Sequence, residues 1–247
     1  RPIQIALVES VGQLWTLVGE FGVDNVKFIT QEELEFLQQE IKKISYPESG
    51  KTSKYAGASY NDPQGKILKG IFDEKLKNII GDYELDFYAW QEAINPWKTH
   101  ADLRWYPDKL PYKVVLFPID VISDQEQWKD TYTIAFKQRD YLEGNSNDGK
   151  GYKGNTDQTT WSRPCENPGT HGLVEGYKIS REEHELYFSH MPYDFLEGLE
   201  IDNVFKWTPG SCVIWDQNQL HSADNFIKNN IKTKLSLIFF TNQKQDK

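Results

Sequence analysis

Residues 207–216 read Trp-Thr-Pro-Gly-Ser-Cys-Val-Ile-Trp-Asp, and residues 220–223 read Leu-His-Ser-Ala. The Pro209-Gly210 pair predicts a tight turn, because proline presets φ and glycine adopts conformations that other residues avoid. The apolar run from Cys212 to Trp215 predicts a buried strand after that turn. His221 follows on the far side of the next turn, and in a jelly roll such a position can return to the mouth of the barrel.

Other short segments of the chain are also typical of strands bounded by turn residues. These segments are Tyr112–Ile122, Thr131–Phe136, Phe205–Trp207 and Lys234–Thr241. An aromatic-rich stretch, Glu84–Ile94, precedes them.

The N-terminal part of the chain has helical patterns instead. Thr30 and Glu33 form a capping-box signature, and apolar residues at helical spacing predict a helix over Gln31–Ile44. A second helix is predicted over Asp73–Ile80, and a helical interruption over Arg181–Phe188. Helices followed by many short strands indicate an α+β domain with a β-sandwich or jelly-roll core.

A histidine and an aspartate stand two residues apart in Trp97-Lys98-Thr99-His100-Ala101-Asp102-Leu103-Arg104. On an extended strand, residues i and i+2 project from the same face, so His100 and Asp102 can reach one ion. They supply two of the three ligands of a facial triad, which leaves open positions on Fe(II). A His-x-Asp pair also occurs on ordinary surface strands, and it is the addition of His221 that favours a metal site.

The strand candidate near the C-terminus carries a polar pair on one face. Lys234 and Ser236 share that face, while the alternating apolar residues point the other way. A cation and a hydroxyl two residues apart are suited to bind a carboxylate through charge-assisted and neutral hydrogen bonds. The ordinary alternative is an edge strand with a solvated lysine, and Lys232 has the same parity and is a rival for the role.

The ordered set His100-x-Asp102, Pro209-Gly210, His221 and Lys234-x-Ser236 resembles the Fe(II)/2-oxoglutarate-dependent dioxygenase superfamily over roughly residues 97–241. The resemblance implies a double-stranded β-helix core flanked by N-terminal helices. It also implies Fe(II) bound by the triad, O₂ as oxidant, and 2-oxoglutarate as cosubstrate with its distal carboxylate on Lys234 and Ser236. Arginine is commoner in the family at the position of Lys234, and lysine keeps the charge without the bidentate fork.

The resemblance further implies the type of reaction. Halogenating members of the family replace the carboxylate ligand by a small residue, whereas this chain has Asp102 at that position. Hydroxylation of a small-molecule substrate, with release of succinate and CO₂, is therefore expected. Arg104 shares the strand face of the His-x-Asp pair and is a candidate for substrate contact, with a surface ion pair as its alternative. We expect one domain over 1–247, with helical support over 1–82 and the jelly-roll core over 83–247.

Composition restricts the choice of partners and compartment. Net charge is −9, from 37 acidic and 28 basic residues, so the chain lacks the basic excess of a nucleic-acid-binding protein. No apolar run approaches the roughly twenty residues that span a bilayer, and residues 1–8 are too short a run for a secretory signal. Cys165 and Cys212 form no motif; they could form one disulfide, but free thiols are expected, and a cytoplasmic protein is predicted. The sequence indicates no oligomeric state.

Two other function classes fit part of the pattern. A cupin-like metalloenzyme would share the triad but would not use 2-oxoglutarate or need Lys234. A non-catalytic carbohydrate-binding β-sandwich would account for the eight tryptophans by exposing several of them. The segment Gly144–Asn155 has no apolar periodicity and is predicted to be a loop.

Overall fold

The computed structural model describes residues 27–46, 48–49, 52–59, 61–102, 109–125, 129–141, 163–166 and 169–244. Two helices of several turns lie in this part of the chain, α1 (Gln31–Ile41) and α2 (Pro63–Ile80). A short helical segment follows later, with an α-helical turn at Arg181–Glu183 that continues as a π-helix at His184–Phe188. The strands are β1 (Glu48–Ser49), β2 (Ser53–Ser59), β3 (Tyr83–Ala93), β4 (Pro111–Ile122), β5 (Tyr132–Asp140), β6 (Thr170–His171), β7 (Ile201–Lys206), β8 (Val213–Asp216), β9 (Gln219–Ala223) and β10 (Thr233–Gln243).

The strands form two antiparallel sheets. The larger sheet has the order β1-β2-β3-β10-β4-β8, and in the smaller one β5 is hydrogen-bonded to β6, β7 and β9. Strands that are neighbours in a sheet are often far apart in sequence, as β3 and β10 are. This arrangement confirms the predicted fold class, a mixed α and β domain with a core of antiparallel sheets and few helices.

Strand β10 is the centre of the larger sheet and is buried on both faces. Leu235, Leu237 and Phe239 point towards the helices and pack in the core formed with α1 and α2. Ile238 and Phe240 point the opposite way, into the core that contains Trp207 and Trp215. The alternation of a strand therefore divides β10 between two cores, which explains its nearly continuous apolar sequence.

Both helices begin at recognisable capping residues. The Thr30 hydroxyl accepts a hydrogen bond from the backbone N–H of Glu33, and the Glu33 carboxylate accepts one from the backbone N–H of Thr30. Helix α1 ends at Ile41, three residues before the predicted end. Helix α2 begins ten residues earlier than predicted, because Asp62 caps its N-terminus and Pro63 occupies the first helical position.

The N-terminal region also contains a strand that the sequence did not indicate. Residues 53–59, Ser-Lys-Tyr-Ala-Gly-Ala-Ser, form β2 and pair with β3. This segment has no β-branched residue, so its strand propensity is weak and the pairing with β3 supplies the stabilisation. Gly57 leaves room for Phe87 there, since a Cβ at that position would lie 2.0 Å from the Phe87 ring, which would have to shift.

The remaining sequence predictions concern Arg104, the segment Gly144–Asn155, the two cysteines and membrane-spanning helices. Arg104 and the segment Gly144–Asn155 lie outside the described residues. Cys165 and Cys212 are both free thiols, as predicted. Among the described residues, no helix combines the length and the apolar character required to cross a membrane.

Candidate metal centre

Two histidines from distant parts of the chain are joined through their backbones. His221 lies on β9, and His100 forms an isolated antiparallel bridge with it. The N–H of His100 donates to the carbonyl oxygen of His221 at 3.0 Å, and the reverse bond is 2.9 Å. Because this pair of hydrogen bonds fixes both backbones, the two imidazole rings lie with their centroids 4.3 Å apart.

Each imidazole is oriented by a carbonyl two residues before it. His100 Nδ1 lies 2.7 Å from the carbonyl oxygen of Lys98, and His221 Nδ1 lies 3.0 Å from that of Gln219. A carbonyl oxygen only accepts, so Nδ1 carries the hydrogen and donates it in each ring. The Nε2 atom of each neutral ring is thereby left with a lone pair, as in a metal-ligating histidine.

The third member of the group is Asp102. Its Oδ1 lies 3.6 Å from His100 Nε2 and its Oδ2 lies 3.2 Å from His221 Nε2. The backbone N–H of Asp102 donates to the carbonyl of Gln217 at 3.0 Å. Because Gln217 lies in the turn between β8 and β9, this bond holds Asp102 against that turn. One ligand atom from each of the three side chains lies within 4.8 Å of the others.

The electrostatics of this group suit a divalent cation. His100 is 7% exposed, and burial together with the neighbouring His221 lowers the pKa of His100 to about 4. At neutral pH, the His100 ring is therefore uncharged and its nitrogen lone pair faces a carboxylate. Two imidazole nitrogens and one carboxylate are the donor set of a facial triad, and a bound cation would satisfy all three.

Two tryptophan rings lie beside the histidines of the triad. The Trp97 ring lies 5.0 Å from that of His100, and the Trp215 ring lies 4.6 Å from that of His221.

The triad lines a cleft between the two sheets. The cleft has an empty volume of about 570 Å³, part of it open to solvent. Lys234 lines the same cleft, so the structure brings together four of the predicted site residues. Most of its other walls are aromatic or apolar, and its further polar groups are Tyr55, Gln91, Thr133 and Ser222.

Lys234 is almost completely buried, at 2% exposure. Its ammonium donates to the carbonyl oxygen of Tyr132 at 3.1 Å and lies 3.7 Å from Asp224 Oδ1. The same nitrogen lies 4.0 Å from the ring centroid of Trp207, a cation–π contact. Burial lowers the pKa of Lys234 to about 8, and Asp224 opposes that shift.

The rival lysine points away from this site. Lys232 pairs with Asp124 at the surface, at 3.2 Å, and its side chain is 62% exposed. Of the two lysines with the right parity, only Lys234 lines the cleft.

Ser236 does not line the cleft itself but contacts a residue that does. It is fully buried, and its hydroxyl donates to Gln91 Oε1 at 3.1 Å. Gln91 in turn donates to the hydroxyl of Tyr55 at 2.6 Å, and both of these side chains line the cleft. The structure therefore presents Gln91 to the cleft where the sequence suggested Ser236. The only signal for Gln91 is its register opposite Ser236 on β3, which is not readable from the sequence.

The remaining histidines have other environments. His184 and His190 contact the backbone carbonyls of Met191 and Trp97, respectively, and His171 is exposed beside Tyr141. Among the described residues, His100, Asp102 and His221 form the one group of three or more possible ligands.

No protein-family model and no curated protein matches the chain. Solved structures similar to it include an oxidoreductase of the 2OG-Fe(II) oxygenase family from Burkholderia pseudomallei, with a TM-score of 0.49 and 11% identity over 96% of this chain and 93% of that one. A prolyl-4-hydroxylase from Pseudomonas putida has a TM-score of 0.44 and 10% identity over 90% and 91%. HygX from Streptomyces hygroscopicus, solved with nickel, 2-oxoglutarate and hygromycin B, has a TM-score of 0.44 and 10% identity over 89% and 80%.

Proposed function

We propose that the chain is an Fe(II)- and 2-oxoglutarate-dependent oxygenase that hydroxylates a small-molecule substrate. The observation that carries the proposal is the convergence of His100, Asp102 and His221 in a cleft that also contains the buried ammonium of Lys234. Iron and 2-oxoglutarate, when bound, would supply the oxidising power by consuming O₂ and releasing succinate and CO₂.

The three residues of the triad would hold the metal. Each histidine offers Nε2, since its Nδ1 is engaged with a backbone carbonyl. The backbone bridge between the histidines and the bond from Asp102 to Gln217 fix the ligands before the metal arrives. Such preorganisation reduces the entropy lost when the site assembles. With three protein ligands, the metal would keep further positions available for cosubstrate and O₂.

Lys234 would bind the distal carboxylate of 2-oxoglutarate. Lys234 lines the cleft, and the bond of its ammonium to the Tyr132 carbonyl and its contact with Trp207 fix its position. Gln91, which Ser236 orients, adds a polar group to the same cleft. We propose that Ser236 acts on the cosubstrate through Gln91.

A small organic molecule is the substrate class that this cleft favours. Its walls are largely aromatic and apolar, with few polar groups to fix orientation, as in small-molecule sites. The net charge of −9 disfavours a nucleic acid. We further propose that the whole chain, 1–247, forms one such oxygenase domain.

The central test is an anaerobic titration of the protein with Fe(II) and 2-oxoglutarate. The proposal predicts a metal-to-ligand charge-transfer band in the visible region, and Asp102→Ala should abolish it. Lys234→Met should weaken 2-oxoglutarate binding at least about tenfold, because a charge-assisted hydrogen bond is lost. The surface variant Lys232→Met serves as the matched control and should bind normally.

The outcome separates the proposed function from its rivals. Metal binding without the band or succinate formation would favour a cupin-like enzyme that does not use 2-oxoglutarate. A protein that binds no metal, and whose carbohydrate binding survives His100→Ala, would instead be a binding module.

A further inference from the structure

A buried ion pair lies at the wall of the cleft. Lys234 Nζ lies 3.7 Å from Asp224 Oδ1, and the two side chains are 2% and 0% exposed. Lys234 lines the cleft, whereas Asp224 does not. A ligand in the cleft can therefore contact Lys234, which is paired with Asp224, without contacting Asp224.

Lys234 and several hydrogen bonds favour the ionised form of Asp224, against the effect of burial on its pKa. Its Oδ1 accepts a hydrogen bond from the Thr131 hydroxyl at 2.6 Å, and its Oδ2 accepts one from Asn229 Nδ2 at 3.1 Å. The backbone N–H of Asp224 and the ammonium of Lys234 both donate to the carbonyl of Tyr132, at 3.2 and 3.1 Å. The pair is thus electrically neutral and hydrogen-bonded without any ligand.

A ligand carboxylate disturbs this balance. It would leave two negative charges and one positive charge together in a site shielded from water, which is strongly unfavourable. The titratable neighbours cannot compensate at neutral pH. Burial raises the pKa of Tyr132 and of Tyr187, so both hydroxyls stay neutral, and burial lowers the pKa of His190 to about 4, so its ring is also neutral. Four further side chains that contact the pair do not titrate; they are Trp207, Phe226, Thr131 and Asn229.

We propose that Asp224 takes up a proton from solvent when the distal carboxylate of 2-oxoglutarate binds to Lys234. This inference rests on the proposed function and assigns a proton-linked role to a residue that does not touch the ligand. The new proton forms an O–H bond on the Asp224 carboxylate, and the ammonium remains charged for the ligand.

The surroundings of Asp224 accommodate both protonation states. The Thr131 hydroxyl can rotate from donor to acceptor when the carboxyl group acquires its proton, and Asn229 can continue to donate to the other oxygen. Burial already raises the pKa of Asp224, while Lys234 and the hydrogen bonds oppose that shift. When a ligand carboxylate shares the charge of Lys234, the lysine would lower the pKa of Asp224 less than it does without the ligand.

The test is calorimetry of 2-oxoglutarate binding to the Ni(II)-loaded protein in buffers with different ionisation enthalpies. At pH 6.5, where Lys234 with its pKa of about 8 is already charged, the wild type should take up about one proton for each ligand bound, and its Kd should weaken as the pH rises, by up to about tenfold per pH unit. The probe 2-oxopentanoate has the same 2-oxo acid end without a distal carboxylate. It should bind without this uptake, which assigns the proton to the Lys234 end of the site.

Two variants locate the proton. Asp224→Asn should abolish the uptake and flatten the pH dependence of Kd, with circular dichroism showing that it folds. Asp124→Asn, which alters the surface pair with Lys232, should behave as the wild type does. The inference is overturned if wild-type protein takes up as many protons with 2-oxopentanoate as with 2-oxoglutarate, or if folded Asp224→Asn retains the uptake. A wild type that binds Ni(II) but no 2-oxoglutarate would instead overturn the proposed function, before any proton is counted.

Discussion

His100 and His221 are neighbours across an antiparallel bridge in which each backbone N–H donates to the carbonyl of the other, at 3.0 and 2.9 Å. The first precedes β4 and the second lies on β9, so the bridge joins segments that are more than a hundred residues apart in sequence. Because the two histidines are joined by their own backbones, their relative position in the candidate metal centre depends on the pairing of these two segments.

The first prediction concerns metal affinity. Replacement of His100, Asp102 or His221 by alanine should weaken Fe(II) or Ni(II) binding by more than about 100-fold, since even residues that only support metal ligands contribute about 10- to 100-fold. Equilibrium dialysis under anaerobic conditions measures the effect. His171→Ala removes an exposed histidine and should retain normal affinity. Equal affinity in the triad variants and in His171→Ala would contradict the assignment of the site.

The second prediction concerns the stability of the metal-free protein in acid. Burial lowers the pKa of His190 from 6.5 to about 4, so between these values the unfolded chain binds a proton that the folded protein excludes. The free energy of unfolding should therefore fall as the pH decreases from about 6.5 towards 4. His100, whose pKa is lowered in the same way, adds to this loss.

Urea denaturation at several pH values measures this slope. His190→Gln retains a group that can donate to the Trp97 carbonyl but cannot titrate. The slope of its free energy of unfolding against pH should therefore be smaller than that of the wild type, by about the contribution of one bound proton. His171→Gln should keep the wild-type slope. An unchanged slope in His190→Gln would show that His190 does not contribute.

Local patterns in the sequence were sufficient for several elements. Thr30 and Glu33 marked the start of α1, and the polar and apolar alternation from Lys234 to Phe240 marked the central strand. Both signals arise between residues that are close in the chain, so they depend little on the rest of the fold. The spacing of His100 and Asp102 is local in the same sense, and the structure brings both residues to one point with His221.

Contacts between distant segments were not readable from the sequence. Ser236 and Gln91 are 145 residues apart, and only the pairing of β10 with β3 brings them together. The role of Asp224 likewise depends on the folding of its segment against Lys234. No sequence motif around either residue predicts that the two form an ion pair. Strand β9, Gln-Leu-His-Ser-Ala, has no β-branched residue, so it gave no strand signal although it carries His221.

The third prediction distinguishes Ser236 from Gln91. The Ser236 hydroxyl donates to Gln91 and does not line the cleft, so Ser236→Ala should cost about 1 kcal/mol of stability and weaken 2-oxoglutarate binding only to the extent that Gln91 loses its orientation. Gln91→Leu removes the polar group that faces the cleft and should weaken 2-oxoglutarate binding several-fold more than Ser236→Ala does. Calorimetry with the Ni(II)-loaded protein compares the two. A larger loss in Ser236→Ala would mean that the serine hydroxyl contacts the cosubstrate directly.

The last prediction tests the buried pair through stability. Lys234→Met leaves Asp224 buried without its counter-ion and should reduce the free energy of unfolding of the metal-free protein by about 3–5 kcal/mol at neutral pH. The double variant Lys234→Met/Asp224→Asn removes both charges, so it should be more stable than the sum of the single losses predicts. The surface pair Lys232 and Asp124, whose side chains are 62% and 73% exposed, provides the matched cycle and should give a coupling below about 1 kcal/mol. Urea denaturation measures both cycles, and a coupling for Lys234 and Asp224 no larger than that of the surface pair would show that the buried charges do not depend on each other.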